Sequence, residues 1–156
     1  MEDSTDPRAA EKTLKALYFC LQERYGIVYE YEPRTYAPHW QVVRFPSVVL
    51  EELQGTCIDL CLLMAACLEN VGRDPLIIIV RTGYTSDGYE IRHALIGCWR
   101  ERSPRDAMVI RDEAALRRWV DAGEVLVIDS KGFPETKEFP AGMSFSICRK
   151  KGQKYI

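Results

Sequence analysis

The sequence QGTCIDL, residues 54–60, changes from a turn to a helix at Cys57. A glycine and a candidate capping residue precede the cysteine. Apolar side chains then recur at helical spacing, at Leu60, Leu63, Met64, Cys67, Leu68 and Val71. The pattern predicts a helix from Cys57 to about Val71, closed by Gly72 and buried because it is apolar nearly all round. A thiol in its first turn lies at the positive end of the helix dipole, which favours the nucleophilic thiolate.

The rest of the chain predicts short helices and strands around this helix. Residues 1–7 are expected to form a flexible N-terminus, and residues 8–156 a single domain. The predicted elements are a helix from near Pro7 to about Tyr25, ended by Gly26; a strand Ile27–Tyr31; an extended segment Gln41–Arg44; a helix capped by Ser47 that runs to about Leu53; strands Leu76–Arg81, Glu90–Arg100 and Val125–Asp129; a helix Asp112–Ala122; and a weakly indicated helix Ser144–Lys151. Consecutive strands after one buried helix predict an α+β fold with a small antiparallel sheet packed on that helix.

Composition narrows the class of protein. The chain has 156 residues, 47% of them hydrophobic and 28% charged, and a net charge of −2, so neither nucleic acid nor a membrane is an expected partner. The longest aliphatic run, Leu76–Val80, is far too short to span a bilayer, and the polar, acidic N-terminus does not resemble a secretory signal. The six cysteines lack the spacing of a disulfide framework, which indicates a reduced, cytoplasmic protein.

Three residue types that support nucleophilic catalysis follow one another along the chain. Cys57 is the candidate nucleophile, His93 in a β-like run the candidate base, and Asp129 at a strand end the candidate acid that orients the imidazole. Each has a structural alternative: a buried thiol, a core histidine that has found a polar partner, and a turn aspartate. The only other histidine, His39, lies in a loop with no strand to fix it.

The motifs around these residues resemble the transglutaminase-like superfamily of papain-type cysteine enzymes, and most closely a bacterial branch of poorly defined activity. The resemblance covers roughly residues 12–150. It rests on QVVRFP (41–46), GTCIDL (55–60) and LMAA (63–66), then RHALIG (92–97) as the histidine strand and VIDS (127–130) as the strand of the third member. It implies a papain-like fold and a Cys57–His93–Asp129 triad. Two departures are Arg92, where the family usually has glycine, and Asp129-Ser130 in place of a Glu-Thr-Thr type ending.

Other groups could complete such a site. Acyl transfer needs donors for the developing oxyanion, and the backbone N–H of Cys57 with Gln41 or the Trp40 indole are the candidates. A zinc site built from Cys57, Cys61 and His93 is disfavoured because paired Cys-x-x-Cys knuckles are absent. No metal and no cofactor is therefore predicted.

Two functions remain open at this stage. The first is a cysteine-dependent acyl-transfer enzyme, a peptidase or deamidase that acts on a protein or peptide through a thioester. Hydrolysis is preferred to transamidation because the bacterial relatives are regarded as protease-like. The second is a catalytically idle binding or adaptor module, fused to or regulated by other domains, for which the bulk of Arg92 beside His93 is the main argument.

Overall fold

The computed structural model of this chain describes residues 6, 8–31, 42–101, 103 and 109–156. Helices surround a small sheet in these residues. In chain order the elements are α1 (Ala9–Tyr25), β1 (Val28–Tyr29), α2 (Pro46–Glu52), β2 (Gln54–Gly55), α3 (Cys57–Asn70), β3 (Pro75–Tyr84), β4 (Glu90–Trp99), α4 (Glu113–Asp121), β5 (Val125–Asp129), a 3₁₀ turn (Ser130–Gly132) and α5 (Phe145–Lys154).

The main sheet has the strand order β3-β4-β5, and both pairs are antiparallel. Side chains alternate along β4, so it supplies two separate apolar cores. Ala94 and Ile96 pack with α1 and α3, while Leu95 packs with Val127 and with Val120 of α4. The predicted α+β class, with a small antiparallel sheet against helices, is confirmed.

Helix α3 begins at Cys57, as predicted, and ends at Asn70, one residue before the predicted end. Thr56 is the N-cap residue, and its backbone N–H donates to the Asp59 carboxylate over 3.0 Å. The helix is buried at Leu60, Met64 and Leu68, each with no exposed surface. Because these apolar side chains are buried along the whole helix, α3 lies in the core, and its first turn lies beside the sheet.

Several predicted boundaries were wrong. Helix α2 begins at Pro46 with Phe45 as its N-cap residue, so Ser47 is not the cap. The reason is that proline suits the first helical position, where its missing N–H has no partner to lose. Strand β3 extends to Tyr84 across a bulge between Arg81 and Gly83, and α5 extends to Lys154 with Ser144 as its N-cap residue.

A second, two-stranded sheet was not predicted. Its strands are parallel, with Val28 opposite Gln54 and Tyr29 opposite Gly55. The predicted strand Ile27–Tyr31 thus reduces to two residues, and β2 leads directly into α3. The N-terminus of α3 is therefore held by backbone pairing as well as by side-chain packing.

Helix α5 packs on β5 at close range. A Cβ atom on Gly152 would lie 2.8 Å from backbone atoms of Ile128, so only glycine allows this approach. The Cys148 thiol also donates to the backbone carbonyl of Asp129 over 2.8 Å. In the part of the chain that the structure describes, no helix combines the length and the apolar character needed to cross a membrane.

Candidate active site

Cys57 is the first residue of α3, and its side chain lies at the helix N-terminus with only 6% of the residue exposed. Backbone N–H groups in the first turn of a helix have no partner within the helix. The sulfur therefore lies beside backbone donors and the positive end of the α3 dipole. This is the environment that the sequence predicted for the nucleophile.

His93 and Asp129 are brought together by neighbouring strands. The register pairs Asp129 with Leu95, which is two residues from His93 and shares its face of β4. His93 and Asp129 are therefore diagonal neighbours across the strand pair. His93 Nε2 lies 2.8 Å from Asp129 Oδ1, with His93 8% and Asp129 3% exposed.

Cys57 interacts with the same imidazole. Burial by itself lowers the pKa of His93, but side-chain hydrogen bonds with Asp129 and Cys57, together with the charges of both groups, outweigh burial and raise it to about 9. The structure thus brings together all three residues that the sequence singled out.

Asp129 is held as an anion. Burial raises its pKa, but the hydrogen bond and charge of His93, the backbone N–H of Lys131 and the charge of Lys131 lower it below the usual value. The Lys131 N–H donates over 3.0 Å to Oδ1, the same oxygen that contacts His93. The residue after Asp129, Ser130, donates through its hydroxyl to the backbone carbonyl of Ala94 over 3.0 Å, which ties the end of β5 to β4.

Tyr155 is a neighbour of the site that sequence reasoning missed. Its ring centroid lies 5.3 Å from that of His93 at an interplanar angle of 55°. It follows α5 directly, and a single aromatic residue beyond a short helix gives no periodic signal. The Tyr155 ring therefore lies in contact with the imidazole.

The side chain of Arg92, whose bulk beside His93 was noted in the sequence, is engaged in an ion pair with Glu90. The Arg92 side chain is 66% exposed, and Nη2 lies 2.6 Å from Glu90 Oε2. The Nε atom also donates to that oxygen, over 2.9 Å. Glu90 therefore fixes the arginine whose bulk was the main argument for an idle module.

The remaining sequence candidates are placed as follows. Trp40 and Gln41 lie outside the described residues. Cys61 has no exposed surface, and burial raises the pKa of its thiol, so it belongs to the core. Among the residues that the structure describes, no group of three His, Cys, Asp or Glu side chains could hold a metal ion. All six cysteines are described and free, without a disulfide.

Comparison of the chain with protein-family models, curated proteins and solved structures finds no match. Its function therefore has to be inferred from the chemistry of Cys57, His93 and Asp129.

Proposed function

We propose that the chain is a cysteine-dependent hydrolase of peptide or amide bonds, with a transglutaminase-like, papain-type arrangement of its catalytic groups. The observation that carries the proposal is the buried imidazole of His93, which interacts with Asp129 at Nε2 and also with Cys57. A cysteine at a helix start, supported by a histidine and a carboxylate on neighbouring antiparallel strands, also has the chain order that the motif resemblance implies. A core histidine that needed only a polar partner would be satisfied by Asp129 alone.

The chemistry follows from the charges at the site. The Cys57 thiolate attacks the carbonyl carbon of the substrate and forms a C–S bond. Imidazolium His93 donates its proton to the leaving nitrogen, the C–N bond breaks, and an amine or ammonia departs from the thioester. Neutral His93 then accepts a proton from water, whose oxygen attacks the thioester and releases a carboxylic acid and Cys57.

Asp129 keeps the imidazole in the productive orientation. Since its carboxylate occupies Nε2, the proton that is exchanged during the reaction is carried by the nitrogen that faces Cys57. Its negative charge also stabilises the imidazolium, which explains why the pKa of a buried histidine is raised to about 9. We expect Asp129→Asn to slow acyl transfer through both effects.

Water is the proposed acceptor because hydrolysis needs no second binding site. A substrate amine in its place would give a cross-link, and a glutamine carboxamide in place of a peptide bond would give deamidation. The substrate class is accordingly a protein or peptide. Incubation of a peptide mixture with the chain and with Cys57→Ala, followed by mass spectrometry, separates new termini from deamidated residues and from cross-links.

The reactivity of Cys57 tests the proposal before a substrate is known. At about pH 6 iodoacetamide should alkylate Cys57 much faster than the other cysteines, because only a thiolate reacts. Cys20 is the matched control, since it is an exposed cysteine of the same protein. If Cys20 reacts first, or if both react slowly, the domain is better described as the idle binding module.

A further inference from the structure

The carboxylate of Asp59 is buried two residues after Cys57, in the first turn of α3. Asp59 has no exposed surface, and both of its carboxylate oxygens accept hydrogen bonds. The backbone N–H of Thr56 donates to Oδ2 over 3.0 Å, and the backbone N–H of Arg44 donates to Oδ1 over 2.8 Å. Arg44 Nη1 adds a third hydrogen bond, to Oδ2 over 3.1 Å. The helix start that presents Cys57 is therefore bonded to Arg44 through both its backbone and its side chain.

The guanidinium of Arg44 joins three parts of the molecule. Its Nη2 lies 2.7 Å from a carboxylate oxygen of Glu30, which follows β1, and its Nε lies 3.0 Å from one of Glu52, the last residue of α2. Asp59 on α3 is the third partner. A planar guanidinium can hold three carboxylates in fixed directions, which an ammonium group cannot do.

We infer that Arg44 is a positioning residue for the Cys57 nucleophile and acts through the buried carboxylate of Asp59. The inference rests on the proposed function and deepens it. Thr56 and Asp59 close the first turn of α3 around Cys57, and Arg44 anchors that turn to β1 and α2. The direction in which the sulfur leaves the helix depends on this anchor, because a small rotation of the first turn moves Sγ relative to the imidazole.

The charges explain why the anchor needs arginine. Three carboxylates converge on one cation, and Asp59 is the one among them that is completely buried. An ammonium group that turned toward Glu30 or Glu52 would leave the buried Asp59 carboxylate without its cationic partner, which is strongly unfavourable. The first turn of α3 would then rearrange to bring Asp59 toward water and would carry Cys57 with it.

Conservative variants test the inference while they preserve the fold. Arg44→Lys keeps the charge and loses the three-way fork, and Asp59→Asn keeps the size and an acceptor for the Thr56 N–H. At about pH 6 we expect each to slow iodoacetamide alkylation of Cys57 by about tenfold or more, since misplacement of a reacting group by 1 Å can cost about a hundredfold. The double variant should be no slower than the slower single variant, because both changes break one interaction.

Two matched controls separate positioning from general stability. Asp112→Asn makes the same aspartate change at the start of α4, where the Asp112 carboxylate accepts a hydrogen bond from the Ala115 N–H over 3.0 Å. Arg117→Lys makes the same arginine change on α4, in an ion pair with Glu113 whose side chains are 56% and 85% exposed. Both controls should alkylate at the wild-type rate with the wild-type pH profile.

The outcomes are distinguishable when the melting temperature is measured alongside. If Arg44→Lys and Asp59→Asn melt at a lower temperature, but their Cys57 is alkylated at the wild-type rate and with the wild-type pH profile well below that temperature, the role of Arg44 is purely structural. This result would overturn the inference alone. A wild-type Cys57 that reacts no faster than Cys20 would overturn the proposed function together with the inference. Slow alkylation confined to the Arg44 and Asp59 variants supports both.

Discussion

At the residue scale, one histidine joins the two halves of the candidate site. His93 is buried, and burial normally removes the positive charge from an imidazole. Here the Asp129 carboxylate and the Cys57 side chain reverse that tendency, so the pKa of His93 rises to about 9. At neutral pH the ring is therefore protonated, which is the form that can stabilise a thiolate and protonate a leaving amine.

The protonation of His93 can be measured directly. In NMR titrations the His93 ring signals should shift with a midpoint near pH 9, and in Asp129→Asn the midpoint should fall, because the hydrogen bond and charge of Asp129 no longer oppose the effect of burial. The chain has only two histidines, so a His39→Gln background leaves a single signal set.

The same titration has a consequence for stability. The folded-state pKa of His93 lies above its unfolded value. The contribution of His93 to the free energy of unfolding is therefore fully present below pH 6.5 and is lost as the pH rises through about 9.

In the NMR titration Asp112→Asn is the control, because Asp112 caps α4 and its substitution should leave the His93 midpoint unchanged. An unchanged midpoint in Asp129→Asn would contradict the assigned role of Asp129.

At the scale of elements, local sequence signals were enough to predict most helices. The elements that they did not predict depend on contacts between distant parts of the chain. Thr56 before α3, Asp112 before α4 and Gly26 after α1 are capping residues that can be recognised in the sequence. The β1–β2 pair has two residues in each strand, which is too short for any hydrophobic period to appear. Its existence depends on backbone hydrogen bonds across 25 positions, such as the one from the Val28 N–H to the Leu53 carbonyl.

The end of α2 provides a test of backbone strain. Leu53 adopts a left-handed conformation with φ of 54°, which costs an L-residue with a side chain about 1 kcal/mol. Leu53→Gly should therefore raise the free energy of unfolding by about 0.5 kcal/mol, after the greater flexibility of glycine in the unfolded chain is included. Gly26→Ala is the opposite case, because Gly26 has φ of 58° and no atom within 4 Å of an added Cβ. Chemical denaturation should show that Gly26→Ala loses about 1 kcal/mol, and a stabilised Gly26→Ala would refute this account.

The contact of α5 with β5 links packing to the site. A Cβ at Gly152 would lie 3.0 Å from the backbone nitrogen of Asp129, so Gly152→Ala should push α5 away and cost about 1–3 kcal/mol. Alkylation of Cys57 should also slow, since the carboxylate behind His93 moves. Gly83→Ala is the matched control, because no atom lies within 4 Å of its added Cβ. Calorimetry and labelling of both variants check the prediction, and equal behaviour would contradict it.

At the scale of the whole molecule, the sequence predicted the sheet and the central helix because both have strong periodicity. It also predicted the approach of Cys57, His93 and Asp129, through motif order and not through any calculation of distance. The Arg44–Asp59 anchor and the Tyr155–His93 contact were missed, because each joins residues far apart in the chain by side-chain geometry. A carboxylate near a helix start looks the same in the sequence whether it faces solvent or a buried guanidinium.

The outer edge of the sheet has its own consequence. Strand β3 is an edge strand with ten residues, and Ile79 and Ile77 are 51% and 37% exposed on it. Long apolar edge strands favour pairing between chains, and a lysine on such a strand opposes it. Ile79→Lys should therefore raise the concentration at which light scattering first detects aggregates. Tyr84→Lys, at the far end of β3, should have a smaller effect, and the reverse order would contradict this explanation.

The position of α5 in chain order also matters while the protein is being made. The ribosome delivers Cys57 long before α5, yet α5 holds the backbone of Asp129 and leads to the Tyr155 ring that contacts His93. A nascent chain in which α5 has not yet left the ribosome contains Cys57, but its proton donor His93 is not yet held in position. Under the proposed function, a partial chain that lacks α5 is therefore inert, and its chemistry starts only when α5 docks.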